Sequence, residues 1–128
     1  MTFKHAISWF EIPAVDISRA QKFYETIFDI EMIPMDMEDT KMRLFPVEDM
    51  MTGIGGALCE VPDMLTPSAD KGTLIYLNGG DDLDQVLAKV ETAGGTIHTP
   101  KMQISPEYGF MGLFIDTEGS RIGLHSMA

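Results

Sequence analysis

Two polar side chains near opposite ends of the chain, Glu11 and His125, have the chemistry for acid–base work. A carboxylate and an imidazole that both lie within about 3 Å of a substrate can remove and return a proton beside a carbonyl group. Glu11 shares strand parity with His5 and Trp9, and His125 shares parity with Gly123, so each set faces one side of its strand. The residues leave three uses open: an acid–base pair, two ligands of an improvised metal site, or a hydrogen-bonded pocket carboxylate with a histidine at the rim.

Aromatic and methionine side chains are the second group that could contact a ligand. Trp9 and Tyr76 can stack on a flat molecule, and Met111 lies in a strand candidate near the C-terminus. The chain holds 11 methionines, a flexible residue that fills irregular cores and pockets. Cys59 is the only cysteine, and a lone cysteine is more often a buried apolar side chain than a nucleophile.

Composition limits the classes of protein to which the chain can belong. Its 128 residues suit one domain, and 45% hydrophobic with 23% charged residues argues against disorder. The formal net charge of −11 argues against a nucleic-acid binder and against binding to anionic membranes. The apolar runs are far shorter than the roughly 20 residues that span a bilayer. A single cysteine excludes an intrachain disulfide, so we expect a cytoplasmic protein.

Hydrophobic periodicity predicts two helices set among strands. The first helix has Asp16 as its predicted N-cap and an apolar face formed by Ile17, Ala20, Tyr24, Ile27 and Phe28. The second has Asp82 as its predicted N-cap, with Gln85 completing a capping box, and a face formed by Leu83, Val86, Leu87 and Val90. Strands are predicted over residues 6–15, 31–37, 41–46, 55–59, 72–78, 96–102, 108–115 and 121–126, with a hairpin turn over 116–119.

The two halves of the chain repeat one another. Aligning the predicted caps Asp16 and Asp82 gives an offset of 66 residues, close to half the chain. Each half then reads strand, helix, strand, strand, strand. The sequence therefore predicts an α+β fold of two βαβββ modules, about 1–65 and 70–128, in a single domain. Their strands form a curved mixed sheet around a concave cup, with the helices outside.

Several segments resemble the vicinal oxygen chelate superfamily, which includes glyoxalase I, bleomycin resistance proteins, fosfomycin resistance enzymes and extradiol dioxygenases. In the first half they are Trp9-Phe10-Glu11-Ile12-Pro13, Asp16, Arg19-Ala20, Phe23-Tyr24 and Phe28-Asp29. In the second half they are Asp82-Leu83, Ala93-Gly94-Gly95 and the stretch from Asp116 to Leu124. The superfamily's usual Asp-Pro-x-Gly-Asn turn is altered here by Thr117 and Ser120. The resemblance covers almost the whole chain and implies the same two-module fold.

Metal-dependent members of that superfamily hold a divalent cation with four inward-facing ligands, usually His, Gln or Glu. The resemblance places these positions at Trp9, near Thr73 or Leu74, within 57–59, and at Gly123. Tryptophan, threonine or leucine, and glycine do not supply the nitrogen, sulfur or carboxylate ligands that such cations take. We therefore expect no metal and no other cofactor.

These observations predict metal-free binding of a small organic molecule in the cup, with Trp9, Glu11, Tyr76, Met111 and His125 as ligand-binding residues. The resemblance to bleomycin resistance proteins implies an acidic, aromatic-lined pocket for a cationic compound. The alternative is a lyase or isomerase resembling lactoylglutathione lyase, with a non-standard metal site or with Glu11 and His125 as catalytic base and acid. A dimeric domain without activity is a third reading. Superfamily members of this length resemble homodimers, so we expect a homodimer.

Overall fold

Strands and helices follow one another in the same order in both halves of the chain. The computed structural model describes residues 1–128. Its elements are β1 (Trp9–Pro13), α1 (Ile17–Phe28), β2 (Ile33–Pro34), β3 (Lys41–Leu44), β4 (Gly55–Glu60), β5 (Tyr76–Asn78), α2 (Asp84–Val90), β6 (Thr96–Ser105), β7 (Gly109–Ile115) and β8 (Arg121–Ser126). They form two four-stranded mixed sheets, ordered β1-β4-β3-β2 and β5-β8-β7-β6. The predicted α+β fold of two βαβββ modules is confirmed. Neither helix is long and apolar enough to cross a membrane.

Equivalent hydrogen bonds in the two modules confirm the repeat. The backbone N–H of Ile17 donates to Glu60 Oε1 at 3.0 Å, and that of Leu83 donates to Ser126 Oγ at 3.0 Å. Donors and acceptors are both 66 residues apart, as the sequence alignment predicts. In each module the last strand therefore supplies a side-chain oxygen to the start of the helix, where the first N–H groups have no partner within the helix.

The start of α2 differs from the prediction. Asp82 is not the N-cap: Leu83 is, its side chain makes no capping hydrogen bond, and the helix begins at Asp84. The Asp82 carboxylate instead accepts from the Asp84 N–H at 3.0 Å and from Lys101 Nζ at 2.8 Å. The ion pair to β6 draws the carboxylate toward the sheet, so the predicted capping box with Gln85 does not form. The predicted strands at 6–15 and 31–37 are also shorter, at five and two residues.

One hydrophobic core joins the two modules. A cluster of 17 buried residues includes Tyr24 of α1, Val90 of α2, Phe114 of β7, and both Ile12 of β1 and Leu77 of β5. The strands β1 and β5 are edge strands of their sheets. We call the line where these two edges face one another the seam. Burial of each large apolar side chain contributes roughly 1.5–3 kcal/mol, so the seam is held by packing in place of strand pairing.

The turn between β7 and β8 joins the second module to the start of α1. The buried Glu118 carboxylate accepts from the backbone N–H groups of Val15 and Asp16 at 2.8 and 2.7 Å. It also accepts from Arg19 Nε at 2.7 Å and Nη2 at 3.0 Å. A carboxylate with no exposed surface is stable only when donors surround it, and these donors all come from the other module.

A second carboxylate fixes the same turn from within. Asp116 accepts from the buried Tyr24 hydroxyl at 2.7 Å and from the N–H groups of Glu118 and Ser120, both at 2.9 Å. Burial raises the pKa of Asp116 above its usual range in spite of these hydrogen bonds. Burial also acts to raise the pKa of Glu118, but hydrogen bonds from Arg19 and the Asp16 N–H outweigh it and hold that pKa below its ordinary value.

Replacing Glu118 by glutamine should lower the free energy of unfolding by about 2–3 kcal/mol near pH 7, because it removes a buried charge that its donors require. Because the pKa of Glu118 is lower in the folded state, its charge stabilises the fold at a pH above the ordinary pKa of 4.5. This stabilisation is lost as the pH falls through the pKa of the folded state. The difference in free energy of unfolding between wild type and Glu118→Gln should therefore become smaller at acidic pH. Urea denaturation at neutral and acidic pH measures it, with the exposed Glu38→Gln as control. A difference in free energy of unfolding that does not change with pH would contradict the proposed stabilisation by the Glu118 charge.

Candidate functional site

The five predicted ligand-binding side chains lie on strands of both sheets. Trp9 and Glu11 are on β1, Tyr76 is on β5, Met111 on β7 and His125 on β8. Met111 is directly opposite His125 in the β7–β8 ladder, and Tyr76 is opposite Gly123 in the β5–β8 ladder. The structure therefore brings the sequence-predicted residues together as two groups, one on each side of the seam.

His125 lines a cavity at the ends of β5 and β8. This His125 cavity has a volume of about 720 Å³ and is also lined by Tyr76, Asn78 and Asp81. The imidazole Nε2 is 2.5 Å from the backbone oxygen of Tyr108. Because a carbonyl oxygen only accepts, Nε2 carries the hydrogen and Nδ1 is left without a partner in the chain. Nδ1 is thus free to accept a hydrogen bond from a bound molecule.

Glu11 lines a different cavity of about 220 Å³, which we call the Glu11 cavity. Its Oε2 accepts from the indole Nε1 of Trp9 at 3.3 Å, so the carboxylate lies beside an aromatic ring. Burial, together with the charge of the neighbouring Glu11, raises the pKa of the Cys59 thiol to about 12. Cys59 is therefore a neutral, buried thiol near pH 7 and not the thiolate that nucleophilic chemistry needs.

Glu11 and His125 are not in contact within one chain. They line separate cavities, and no hydrogen bond or ion pair joins them. Strand parity gives the face of the sheet to which a side chain points, but it does not give the distance to a residue on another sheet. Their use as an acid–base pair stays a prediction, and it requires a substrate that reaches both groups.

The four positions at which the resemblance implies metal ligands do not fit a divalent cation. A Cβ atom built at Gly123 would lie 2.5 Å from Cδ1 of Tyr76, because the tyrosine ring lies over that glycine. The ring of Trp9 covers Gly55 in the same way, at 3.2 Å. No group of three or more His, Cys, Asp or Glu side chains is close enough to hold a metal. At Trp9 and Gly123, aromatic rings occupy the space that a metal-ligating side chain would need.

Two cationic residues of the Glu11 cavity, Lys71 and Arg121, were not identified as candidates from the sequence. Lys71 falls in a Pro- and Ser-containing stretch without periodicity, and Arg121 occurs only as part of the turn motif that the resemblance uses. A pair of cations 50 positions apart gives no local pattern, so only folding reveals that they share a cavity.

We expect addition of zinc, nickel, iron or manganese to leave the melting temperature of the protein unchanged, because the donor set is missing. Elemental analysis of the protein purified without chelators checks the same point. Gly123→Glu, which restores a carboxylate at the fourth ligand position, should lower stability by roughly 1–3 kcal/mol, because the new side chain meets the Tyr76 ring. Gly119→Glu in the neighbouring turn is a poor control since its φ is +98°, so Gln103→Glu at an exposed position of β6 serves as one. Near-stoichiometric metal in the wild type would contradict the prediction.

Comparison with known proteins finds likeness in structure only. No protein-family model matches the chain, and no curated protein matches its sequence. A mutant of glyoxalase I from Zea mays is similar with a TM-score of 0.71 and 16% identity, covering 92% of this chain and 44% of that chain. Glyoxalase I from Leishmania major has a TM-score of 0.69 and 15% identity, over 97% of this chain and 88% of that one. The chain thus spans less than half the length of the maize protein.

A third similar structure matches the chain from end to end. TnmS3, an antibiotic binding protein from Streptomyces sp. CB03234, has a TM-score of 0.68 and 21% identity, covering 100% of this chain and 99% of that chain. Glyoxalase/bleomycin resistance proteins are among the other similar structures. Identities this low establish the fold and leave the activity open. The chain has the fold of glyoxalase I and of the glyoxalase/bleomycin resistance proteins, as its resemblance to the vicinal oxygen chelate superfamily implies.

Proposed function

We propose that this protein binds a small organic molecule in the cup without a metal. The observation that carries the proposal is the pairing of Trp9 with Glu11, which sets an exposed carboxylate beside an indole ring. The Tyr76 ring is about half exposed, at 49%, and the Trp9 side chain is 37% exposed. The Trp9 ring beside the Glu11 carboxylate suits an aromatic molecule with a cationic or hydroxyl group, since the ring stacks on it and Glu11 pairs with its polar end.

The likeness to TnmS3 supports a binding role over catalysis. That protein is an antibiotic binding protein of the same length, and this chain covers nearly all of it. By analogy this chain would bind a small compound, with Trp9, Glu11, Tyr76, Met111 and His125 as the ligand-binding residues. The analogy rests on the fold, and the identity of the ligand comes from the site chemistry alone.

The competing function is that of a lyase or isomerase, and the unpartnered Nδ1 of His125 favours it. In that reading Glu11 and His125 act as base and acid on a small oxoacid or thiol adduct, or else hold a metal in a non-standard way. Several similar structures are glyoxalase I enzymes. Turnover of such a substrate that is lost in both Glu11→Gln and His125→Asn would favour the enzyme over the binding protein.

We also propose that the protein is a homodimer and that it is cytoplasmic. The site residues Trp9 and Tyr76 are exposed, and so are two further large hydrophobic side chains, Met102 and Tyr108. Met102 lies opposite Met111 in the β6–β7 ladder, so this surface continues from the site across the second sheet. A second copy could cover it and complete the cup. Sedimentation equilibrium tests the dimer, and the buried, unpaired Cys59 suits a reducing compartment.

Glu11→Gln should weaken binding of a cationic aromatic probe about tenfold, because one charge-assisted pairing is lost. The probe is benzylammonium and the uncharged comparison is benzamide, both followed by thermal shift and calorimetry. Stability should change by less than about 0.5 kcal/mol, since Glu11 is exposed. Glu91→Gln makes the same chemical change just after α2 and should leave binding unaltered. If benzylammonium binds wild type and Glu11→Gln equally, the proposed role of Glu11 is wrong.

A further inference from the structure

The Glu11 cavity contains a cluster of positive charge and hydroxyl groups in an acidic protein. It lies at one end of the seam, between β1 and the start of β8, and the loop before β5 closes its side. Lys71 and Arg121 line it together with the hydroxyl-bearing Ser68, Thr73 and Ser120. The whole chain has only 9 basic residues against 20 acidic ones, so two cations in one cavity of about 220 Å³ reverse the sign of the surface there.

Neither cation has a partner in the chain. The ion pairs are made by Arg19, Lys41, Arg43 and Lys101, and none involves Lys71 or Arg121. The side chain of Arg121 makes no hydrogen bond, and its Nε atom is buried. The hydroxyl of the adjacent Ser120 is also buried and unpaired. These are the only two buried side-chain nitrogen or oxygen atoms that lack a partner, and both belong to residues that line this cavity.

Unpaired buried polar atoms cost stability, so their presence at one site requires an explanation. A buried donor without an acceptor costs roughly 1–3 kcal/mol. Such groups occur where a water, an ion or a ligand supplies the missing partner. Arg121 Nε donates only, and a serine hydroxyl donates readily, so the missing partner is an acceptor. A negatively charged oxygen satisfies both and also pairs with the guanidinium group.

The loop before β5 holds the two cations in place. The Arg121 N–H donates to the backbone oxygen of Ser68 at 3.2 Å, which ties the start of β8 to this loop. The Ser68 hydroxyl accepts from the N–H groups of Lys71 at 2.9 Å and Asp70 at 3.3 Å. One residue thus anchors both cationic positions through backbone contacts, and a fixed backbone lowers the cost of binding.

We infer that the Glu11 cavity is a carboxylate subsite, in which Arg121, Lys71 and Ser120 bind the acid group of a small organic ligand. Among the residues that line the cavity, Lys71 and Arg121 carry two positive charges and Glu11 carries one negative charge, which leaves a single positive charge. One carboxylate balances it, whereas a phosphate dianion exceeds it. The inference deepens the proposed function and rests on it, because Glu11 lines this cavity and also pairs with the cationic or hydroxyl group of the ligand. The ligand class is then an aromatic amino- or hydroxy-carboxylic acid.

Calorimetry and thermal shift with benzoate test the subsite, with benzamide as the neutral molecule of the same shape. Wild type should bind benzoate at least about tenfold more tightly than benzamide. Arg121→Met and Lys71→Met should each reduce benzoate affinity about tenfold or more and leave benzamide unchanged. Lys89→Met removes one positive charge from α2 and should have no effect. Arg121→Met should melt at or above the wild-type temperature, because it removes an unpaired buried donor.

Three results would overturn the subsite: equal affinity for benzoate and benzamide, benzoate binding that survives both Arg121→Met and Lys71→Met, or tighter binding of inorganic phosphate than of benzoate. The variant Glu11→Gln distinguishes a failure of the subsite from a failure of the proposed function, because we expect it to have opposite effects on the binding of benzoate and of benzylammonium. It should strengthen benzoate binding several-fold by removing a like charge, and it should weaken benzylammonium binding. Loss of the benzylammonium effect alone would remove the Glu11 proposal and leave the carboxylate subsite standing.

Discussion

The burial of the Glu118 carboxylate is the constraint on which the arrangement of the two modules depends. This side chain leaves water completely, and all the groups that compensate it, except the neighbouring Thr117 hydroxyl, belong to the beginning of α1 in the other module. A charge buried between the modules penalises any movement of one module relative to the other, since a shift of about an ångström would leave a buried anion without donors. The Tyr24–Asp116 hydrogen bond adds a second buried link between the same two elements.

This link has consequences at the seam. While α1 is attached to the β7–β8 turn, β1 and β5 contribute to the same hydrophobic core, yet these two edge strands do not pair. Ile12 and Leu77 fill part of the space with apolar contact. The remainder forms the Glu11 cavity, which takes its lining from β1, the loop before β5, and β8. The cavity is therefore a product of how the modules are joined, and its cations come from segments far apart in the chain.

Glycines lie opposite aromatic residues in the strand ladders of both sheets. Trp9, Phe10 and Tyr76 each lie over a glycine of the neighbouring strand, at Gly55, Gly56 and Gly123. A ring that packs on a bare backbone recovers apolar contact that a glycine cannot provide by itself. At Trp9 and Tyr76 the ring also forms exposed aromatic surface on its sheet.

Much of the fold could be read from local sequence. The helix period around Tyr24, the glycine-containing turn at 116–119 and the 66-residue offset are short-range signals, and local backbone and burial preferences produce them. Side-chain direction on a strand could also be predicted, which is why Trp9 with Glu11, and Gly123 with His125, were expected to face the same side of their strands. The sequence had no means of giving the distance between Glu11 and His125, the pairing of Asp82 with Lys101, or the meeting of Lys71 with Arg121. Those depend on how two sheets pack across a seam, and packing is decided by the shared core and by the buried Glu118 charge, neither of which has a period along the chain.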